Sequence, residues 1–323
     1  MTIHLAFLGC GNVTRAHSRT LRRSDEVRRY YASRDRGVAE DASRRFGGAG
    51  AFGSYREALE DSRIEAVLVA TPPDSHLELT LEALARGKHV IVEKPAFLRS
   101  ADFVPVRAAA ERAGRRVLVA ENYAYKPLAR AIQRIVASGT LGEIRFVNLV
   151  AVKQQRSGGW KDDAAIAGGG ALFEGGVHWV DLFAHLGLVV ESVHGFRPEP
   201  GEGLERSMAV VARFAGGGIG TLYHSWEIPS PLRGLRISRI YGTRGSLAFE
   251  SNGLVVAVTS PRPRLIFPGI RDISGYRAMF HDFFECIGSG REPRMTLARA
   301  QHGIELIESA YANARATTLE EVR

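Results

Sequence analysis

Cysteine is almost missing from this chain: Cys10 and Cys286 are the only two in 323 residues. They lie far apart and make neither a metal nor a redox spacing, so the expected setting is a reducing cytoplasm. Lysine is also scarce, at five of the 43 basic residues (positions 88, 94, 126, 153 and 161). No apolar run reaches about 18 residues, which excludes a transmembrane helix. The N-terminal "MTIHLAFLGCG" lacks a basic n-region and a small-residue cleavage site, and reads as a first strand instead of a signal peptide. Internal repeats and low-complexity segments are absent as well.

What is present is arginine. The formal net charge is +8. The arginines are spread along the chain among acids, as in "RRSDEVRR" and "SRDRGVAEDASRR". No basic block is interleaved with aromatic platforms, so a nucleic-acid partner is not expected. The charge reads as a solvated surface, or in part as a preference for an anionic cofactor or substrate. With 323 residues, 45% of them hydrophobic, the chain is long for one core and implies two domains.

The first 121 residues alternate short apolar runs with helical patterns. Strands are expected at 3–8, 27–33, 65–71, 89–93 and 115–121, with helices between them, one closing at Gly47 and another at Gly87. Pro105 weakens the start of the last of these helices. Strands alternating with helices imply βαβ units and a doubly wound, Rossmann-type parallel sheet in an α/β domain over 1–121. From 122 to 323 the character changes. A helix (127–138) and a long strand (143–153) are followed by extended runs separated by glycine-rich and proline-rich turns. One helix interrupts them at about 170–186 and two close the chain at about 275–287 and 296–313. This is an α+β domain with an open, mostly antiparallel sheet.

The stretch "FLGCGNVTRAH" leaves the first strand and opens a helix. Gly9 permits the tight turn, and Gly11 lets a pyrophosphate approach the backbone at the helix N-terminus, where Asn12 and Val13 follow. Thr14 stands where the usual third glycine would be. A bare G-x-G also fits an ordinary strand-to-helix turn; its place in a βαβ unit favours dinucleotide binding. At the end of the second strand an acid would hold a ribose 2′-hydroxyl, whereas an arginine suits a 2′-phosphate. Here the strand ends in Ser33 and Arg34, with Asp35 after them. The expectation is NADP(H) over NAD(H), with Asp35 reading the ribose as the alternative.

Four features in order, "GCGNVTRAH", "ATPPDSH" (70–76), "VEKP" (92–95) and "GGGALFEGGVHWVDL" (168–182), resemble the Gfo/Idh/MocA family, that of glucose-fructose oxidoreductase and inositol dehydrogenase. The likeness covers nearly the full chain. It implies an N-terminal Rossmann domain, a C-terminal α/β domain with an open sheet, and oxidoreduction of sugars, cyclitols or their nucleotide derivatives. Ligands in open α/β sheets bind beyond the carboxyl ends of the strands. The strand at 89–92 therefore delivers Lys94 to that crevice, near the nicotinamide. Its amine can hydrogen-bond a substrate hydroxyl and favour the developing alkoxide. The resemblance suggests a cis peptide before Pro95. Glu93 either touches the ribose or makes a structural salt bridge. Thr71 and Pro72 are expected on the nicotinamide side, and His76 matches a family position near the cofactor. Asp74 or Ser75 is a candidate N-cap for the next helix.

Oxidising a carbinol also requires a base, and histidine titrates near operating pH. Glu174 and His178 are four residues apart, on one face if the helix is regular, so that the carboxylate can orient the imidazole. The family pattern is Asp-x-x-x-His; glutamate here implies a longer reach and a different substrate fit. Asp181 reads equally as a packing or a site residue. Asn122, Tyr123 and Lys126, where the second domain begins, are candidate substrate contacts or hinge packing. Gly168 to Gly170 read as a closing loop or a flexible linker. Arg156, Arg233 and Arg236 could hold an acidic sugar but are better placed on the surface. No metal site is expected.

The leading expectation is an NAD(P)-dependent dehydrogenase or reductase acting on a sugar-like small molecule. The alternatives are a glycoside hydrolase that uses transient oxidation by tightly held NAD, and a non-catalytic dinucleotide sensor. An open sheet would leave a large apolar face, so a homodimer or homotetramer is expected.

Overall fold

The computed structural model describes residues 2–155, 158–198, 203–230, 235–260 and 262–316. Two compact units emerge from its contacts: 1–121 together with 276–301, and 122–275 together with the remainder of the chain.

The first unit is built from β1 (Ile3–Leu8), α1 (Asn12–Thr20), β2 (Val27–Ala32), α2 (Arg36–Phe46), β3 (Gly50–Phe52), α3 (Tyr55–Glu60), β4 (Ala66–Val69), α4 (His76–Ala85), β5 (His89–Val92), α5 (Phe103–Ala113) and β6 (Val117–Val119). All pairings are parallel, in the order β3-β2-β1-β4-β5-β6. The near-continuous apolar strands are buried on both faces, with Phe7, Leu68 and Ile91 on one face and Leu8, Val69 and Val92 on the other all at 0% exposure, as a sheet covered by helices requires. Strand order reverses at β1 and β4, so the loops following β1, β4 and β5 leave the same edge of the sheet beside this switch point. Pro105 falls in the first turn of α5, where its missing N–H costs nothing. The three-residue β3, with a glycine in it, carried no period-2 signal and was not expected.

The second unit contains α6 (Pro127–Ala137), β7 (Ile144–Val152), α7 (Ala164–Ala167), α8 (Ala171–Glu174), α9 (Val177–Ala184), β8 (Val190–Arg197), β9 (Ser207–Phe214), β10 (Ile219–Ser225), β11 (Ile237–Gly242), β12 (Ser246–Glu250), β13 (Val256–Thr259) and β14 (Arg264–Ile266). The chain ends in α10 (Tyr276–Ser289), α11 (Leu297–Ala312) and β15 (Arg315–Ala316). The nine-stranded sheet runs β14-β13-β12-β11-β7-β10-β9-β8-β15, antiparallel except for β7 with β10 and β8 with β15. One face takes α9: a Cβ on Gly220 would lie 2.3 Å from the Phe183 ring, so only glycine lets the helix sit this close. On the other face Phe146 is 57% exposed and pairs across the strands with Ile219 and Tyr241, both also exposed.

Two differences from the expected layout have physical causes. The helix expected at about 170–186 is broken into α8 and α9 at Gly175–Gly176, where a Cβ on Gly176 would lie 2.5 Å from the Leu172 carbonyl oxygen. The segment 276–301 groups with the first unit, although the sequence boundary put it in 122–323. Within that unit the rings of Tyr276 and Phe280 pack edge-on to His17, Arg116 reaches Glu292 at 2.8 Å, and Arg107 reaches Gln301 at 2.6 Å. Those contacts join residues far apart in sequence, which no local pattern announces.

Candidate active site

Three loops of the first unit converge at the carboxyl edge of its sheet. In the first, Gly9 has φ +107°, and a Cβ there would lie 2.7 Å from the Ala70 carbonyl oxygen of the loop after β4. Gly11 precedes α1 with open space where its Cβ would point. No side chain caps α1 and its first turn contains no acid. The amides at Asn12 and Val13 are therefore presented, unscreened, at the positive end of the helix, which fits a pyrophosphate. The Thr14 hydroxyl donates to the Gly9 carbonyl at 2.7 Å and tightens the turn. Burial pushes the Cys10 thiol up to about 11, so it stays protonated inside this turn.

After β2, Ser33 is half-buried and Arg34 exposed. Asp35 is the N-cap of α2: its carboxylate accepts from the Gly37 amide at 2.8 Å and the Val38 amide at 3.4 Å. Ser33 Oγ accepts from the Asp35 amide at 3.2 Å.

The loop after β5 is held from below. Glu93 is buried, with Oε1 2.5 Å from Nε2 of the fully buried His17 on α1. Its Oε2 accepts the Lys94 amide at 3.2 Å. Burial works against the charged carboxylate, but His17 and the Lys94 ammonium and amide outweigh it and hold the pKa below its ordinary value. An ionised carboxylate only accepts, so His17 donates from Nε2. His17 Nδ1 has no hydrogen-bond partner among the described residues. Glu93 thus pairs with His17, which is one of the two roles its sequence position allows. Lys94 is half-buried, and the peptide joining it to Pro95 is cis.

His76, expected near the cofactor, is buried between the loops after β4 and β5. Nδ1 lies 3.0 Å from the Pro95 carbonyl oxygen and 3.1 Å from that of Ala96; Nε2 lies 2.8 Å from the Thr71 carbonyl oxygen. Burial lowers its pKa against the pull of these carbonyls. The Ser75 hydroxyl goes to Thr71 Oγ1 at 2.7 Å and the Pro72 carbonyl at 2.9 Å, and α4 has no side-chain cap. The residues Thr71, Pro72, His76, Glu93 and Lys94 thus belong to one hydrogen-bonded assembly running from α1 to the loop after β4.

The second unit carries its own cluster. Glu174 ends α8 and His178 is the second residue of α9, so they do not share one regular helical face. The buried Glu174 accepts from Lys161 Nζ at 2.8 Å. The His178 ring stacks on Tyr123, centroids 4.7 Å apart and planes 11° from parallel. Asp181, at 2% exposure, lies 3.2 Å from His185. Asn122 donates to the Ser274 carbonyl at 2.6 Å, and Lys126 Nζ lies 3.3 Å from the Ser251 carbonyl oxygen; both residues are buried. The glycines before α8 answer a space requirement: a Cβ on Gly170 would lie 2.0 Å from Glu205 Oε2. Arg236 sits over Trp179, while Arg156 and Arg233 lie outside the described residues. Lys161, Arg206 and Trp226 line a cavity of about 220 Å³ with Asp162, Leu204 and Glu205.

Sequence reasoning overlooked His17 and Lys161. The first had a legible signal, because Thr14, His17 and Ser18 form an i, i+3, i+4 stripe on α1 and all three are buried. The second had none: Lys161 meets Glu174 only through tertiary packing.

Residues 3–121 match the model of an oxidoreductase family with an NAD-binding Rossmann fold, and residues 129–248 match the GFO/IDH/MocA C-terminal domain. An uncharacterized oxidoreductase, ORF334, of Rhizobium meliloti is 31% identical, with 80% of each chain covered. The levoglucosan dehydrogenase of Pseudarthrobacter phenanthrenivorans is 24% identical over 88% of this chain and 79% of its own. A solved structure of a levoglucosan dehydrogenase, in complex with NADH and levoglucosan, superposes with a TM-score of 0.85 at 22% identity, covering 97% of this chain and 98% of that one. No helix among the described residues is long and apolar enough to cross a membrane.

The buried ion pair can be tested directly. Glu93→Ala or His17→Ala is expected to cost about 3–5 kcal/mol, because each leaves a buried partner uncompensated, and the double variant His17→Phe/Glu93→Leu should recover most of that loss. Since the folded pKa of Glu93 lies below its ordinary 4.5, its contribution is present above that pH and fades as the pH falls through the folded value. Urea unfolding of the four proteins between pH 7 and pH 3 measures both effects; single variants as stable as the parent would refute the brace.

Proposed function

Because this chain belongs to the Gfo/Idh/MocA family of NAD(P)-dependent oxidoreductases, we propose that it acts on a carbinol or ketone carbon of a sugar, cyclitol or nucleotide-linked sugar. A nicotinamide dinucleotide held at the turn before α1 would supply the hydride chemistry. Lys94 hydrogen-bonds the substrate oxygen and stabilises its developing negative charge. His178 takes up the hydroxyl proton in oxidation and returns it in reduction. Glu174, whose charge is compensated by Lys161, binds a neighbouring hydroxyl. The observation that carries this reading is the support under Lys94: a buried ion pair and two buried loop ties stabilise the backbone around one half-exposed amine. A non-catalytic dinucleotide sensor has no use for such a brace.

NADP(H) is the preferred cofactor in this reading. The Asp35 carboxylate is committed to capping α2, and the exposed Arg34 guanidinium stands beside Ser33 where a 2′-phosphate needs a partner. The exposed face with Phe146, Ile219, Tyr223 and Tyr241 is proposed to pack on the same face of a second copy, giving a homodimer or a homotetramer.

Lys94→Ala and His178→Ala should each reduce turnover by about 10²-fold or more while cofactor titrations stay close to the parent's. The assay is a panel of pyranoses and their keto forms, beginning with levoglucosan, with each dinucleotide. Near-parental rates in both variants would sink the assignment. Fluorescence titration should show tighter binding of NADPH than of NADH, with Arg34→Ala erasing the difference; the opposite order would assign the ribose to Asp35. Light scattering should return a dimer or a tetramer, and Phe146→Asp should shift it toward monomer.

A further inference from the structure

We propose that Tyr123 is a positioning residue for His178: its ring is the platform that fixes the plane of the imidazole and so the aim of the nitrogen that exchanges the proton. The inference rests on the reading of His178 as the acid–base group.

The need for a platform follows from where His178 sits. It is the second residue of α9, immediately after the Gly175–Gly176 break, and its side chain is only half-buried. The ring torsion of a histidine is broad, so the backbone alone leaves the plane of the imidazole undetermined. A proton acceptor must lie within about 2.6–3.2 Å of the proton's heavy atom, so a ring turned out of plane loses its function. Here the imidazole lies 4.7 Å from the Tyr123 ring at 11° to parallel, an arrangement that permits sliding but resists rotation out of plane.

A platform is useful only if it is itself fixed, and Tyr123 is. It lies in a short 3₁₀ turn (Asn122–Tyr125). Beside it, the Asn122 amide donates to the Ser274 carbonyl at 2.6 Å. The backbone of Gly275 presses against this turn: a Cβ there would lie 2.7 Å from the Asn122 carbonyl oxygen and 2.8 Å from the Lys126 amide nitrogen. Lys126 Nζ is held by the Ser251 carbonyl and lies 4.3 Å from the centre of the Tyr123 ring, a cation–π contact made by a buried ammonium. Trp179 meets Tyr123 edge-on at 5.7 Å, with the Arg236 guanidinium 5.5 Å from the Trp179 ring. The aromatic ring is thus confined by Lys126 and Trp179, while its turn is pinned at Asn122 and Lys126.

This role differs from that of a substrate contact, which would depend on the Tyr123 hydroxyl. A platform depends on the ring. Tyr123→Phe retains it and Tyr123→Leu removes it.

The experiment has two arms. In the first, the imidazole carbon-bound protons of His178 are observed by NMR in the free protein and assigned with His178→Gln. They should carry an upfield ring-current shift that persists in Tyr123→Phe and disappears in Tyr123→Leu; unchanged shifts in Tyr123→Leu would overturn the proposal without any assay of turnover. In the second arm, steady-state kinetics use the pyranose of the panel that the parent turns over fastest. Tyr123→Leu should lower kcat by about 10- to 100-fold with KM within about twofold, as expected when a reacting group is misaimed. Tyr123→Phe should recover most of that loss. Equal losses in Phe and Leu with a raised KM would assign the hydroxyl to substrate and overturn the platform. If His178→Gln keeps parental turnover, the acid–base reading fails, and with it the catalytic purpose of the stack, whatever the NMR arm reports.

Discussion

A buried carboxylate has to be compensated, and the first unit is organised around one that is. Glu93 has one oxygen on His17 and the other on the backbone of Lys94. His17 belongs to α1, whose N-terminus is the pyrophosphate-ready turn; Lys94 opens the loop after β5. One ion pair therefore couples the helix suited to the cofactor to the loop that carries the amine. The cost of desolvating the pair is offset only when both partners are present, so neither loop can shift alone without exposing a buried charge to an apolar surrounding. His76 extends the same logic to the loop after β4: the buried ring sits between the Pro95 and Thr71 carbonyls and donates its one N–H to one of them.

The second unit solves a related problem with aromatic packing. Its cluster is not centred on a buried pair of charges that hold each other, but on a ring stack bounded by Lys126 and closed by Trp179. Glycine does the spatial work throughout. Gly170 admits Glu205, Gly175 and Gly176 end α8, and Gly275 lets the loop before α10 press against the turn that carries Tyr123. At these positions a methyl group would fall within van der Waals contact of a fixed neighbour, so the glycines mark close approach and not freedom of movement. In the triplet at Gly168 to Gly170, which reads in sequence as a closing loop or a flexible linker, a Cβ on Gly169 would lie 2.6 Å from Phe173 and one on Gly170 2.0 Å from Glu205.

Polar residues near a site also serve the fold. Asp35, which follows Ser33 and Arg34 at the end of β2, uses one carboxylate oxygen to cap α2. Asp181, one turn from His178, pairs with His185 on its own helix. Both cases follow from the requirement that a buried or helix-terminal polar group find the nearest partner, which is commonly backbone or a neighbour on its own helix.

The sequence by itself determined the alternation of strand and helix in the first unit, the change to extended runs after residue 121, the glycine turn after β1, and the placing of Lys94 at the end of β5. These are local: hydrophobic period, turn chemistry and a motif read along the chain suffice. Only the tertiary structure decided that Glu93 answers His17, that Glu174 answers Lys161, that Tyr123 faces His178, and that 276–301 packs with the first unit. These join residues from 13 positions apart, for Glu174 and Lys161, to 194 apart, for Arg107 and Gln301, and each is selected because burying a charge or a ring demands a partner in space. Sequence spacing carries no record of which residue that will be.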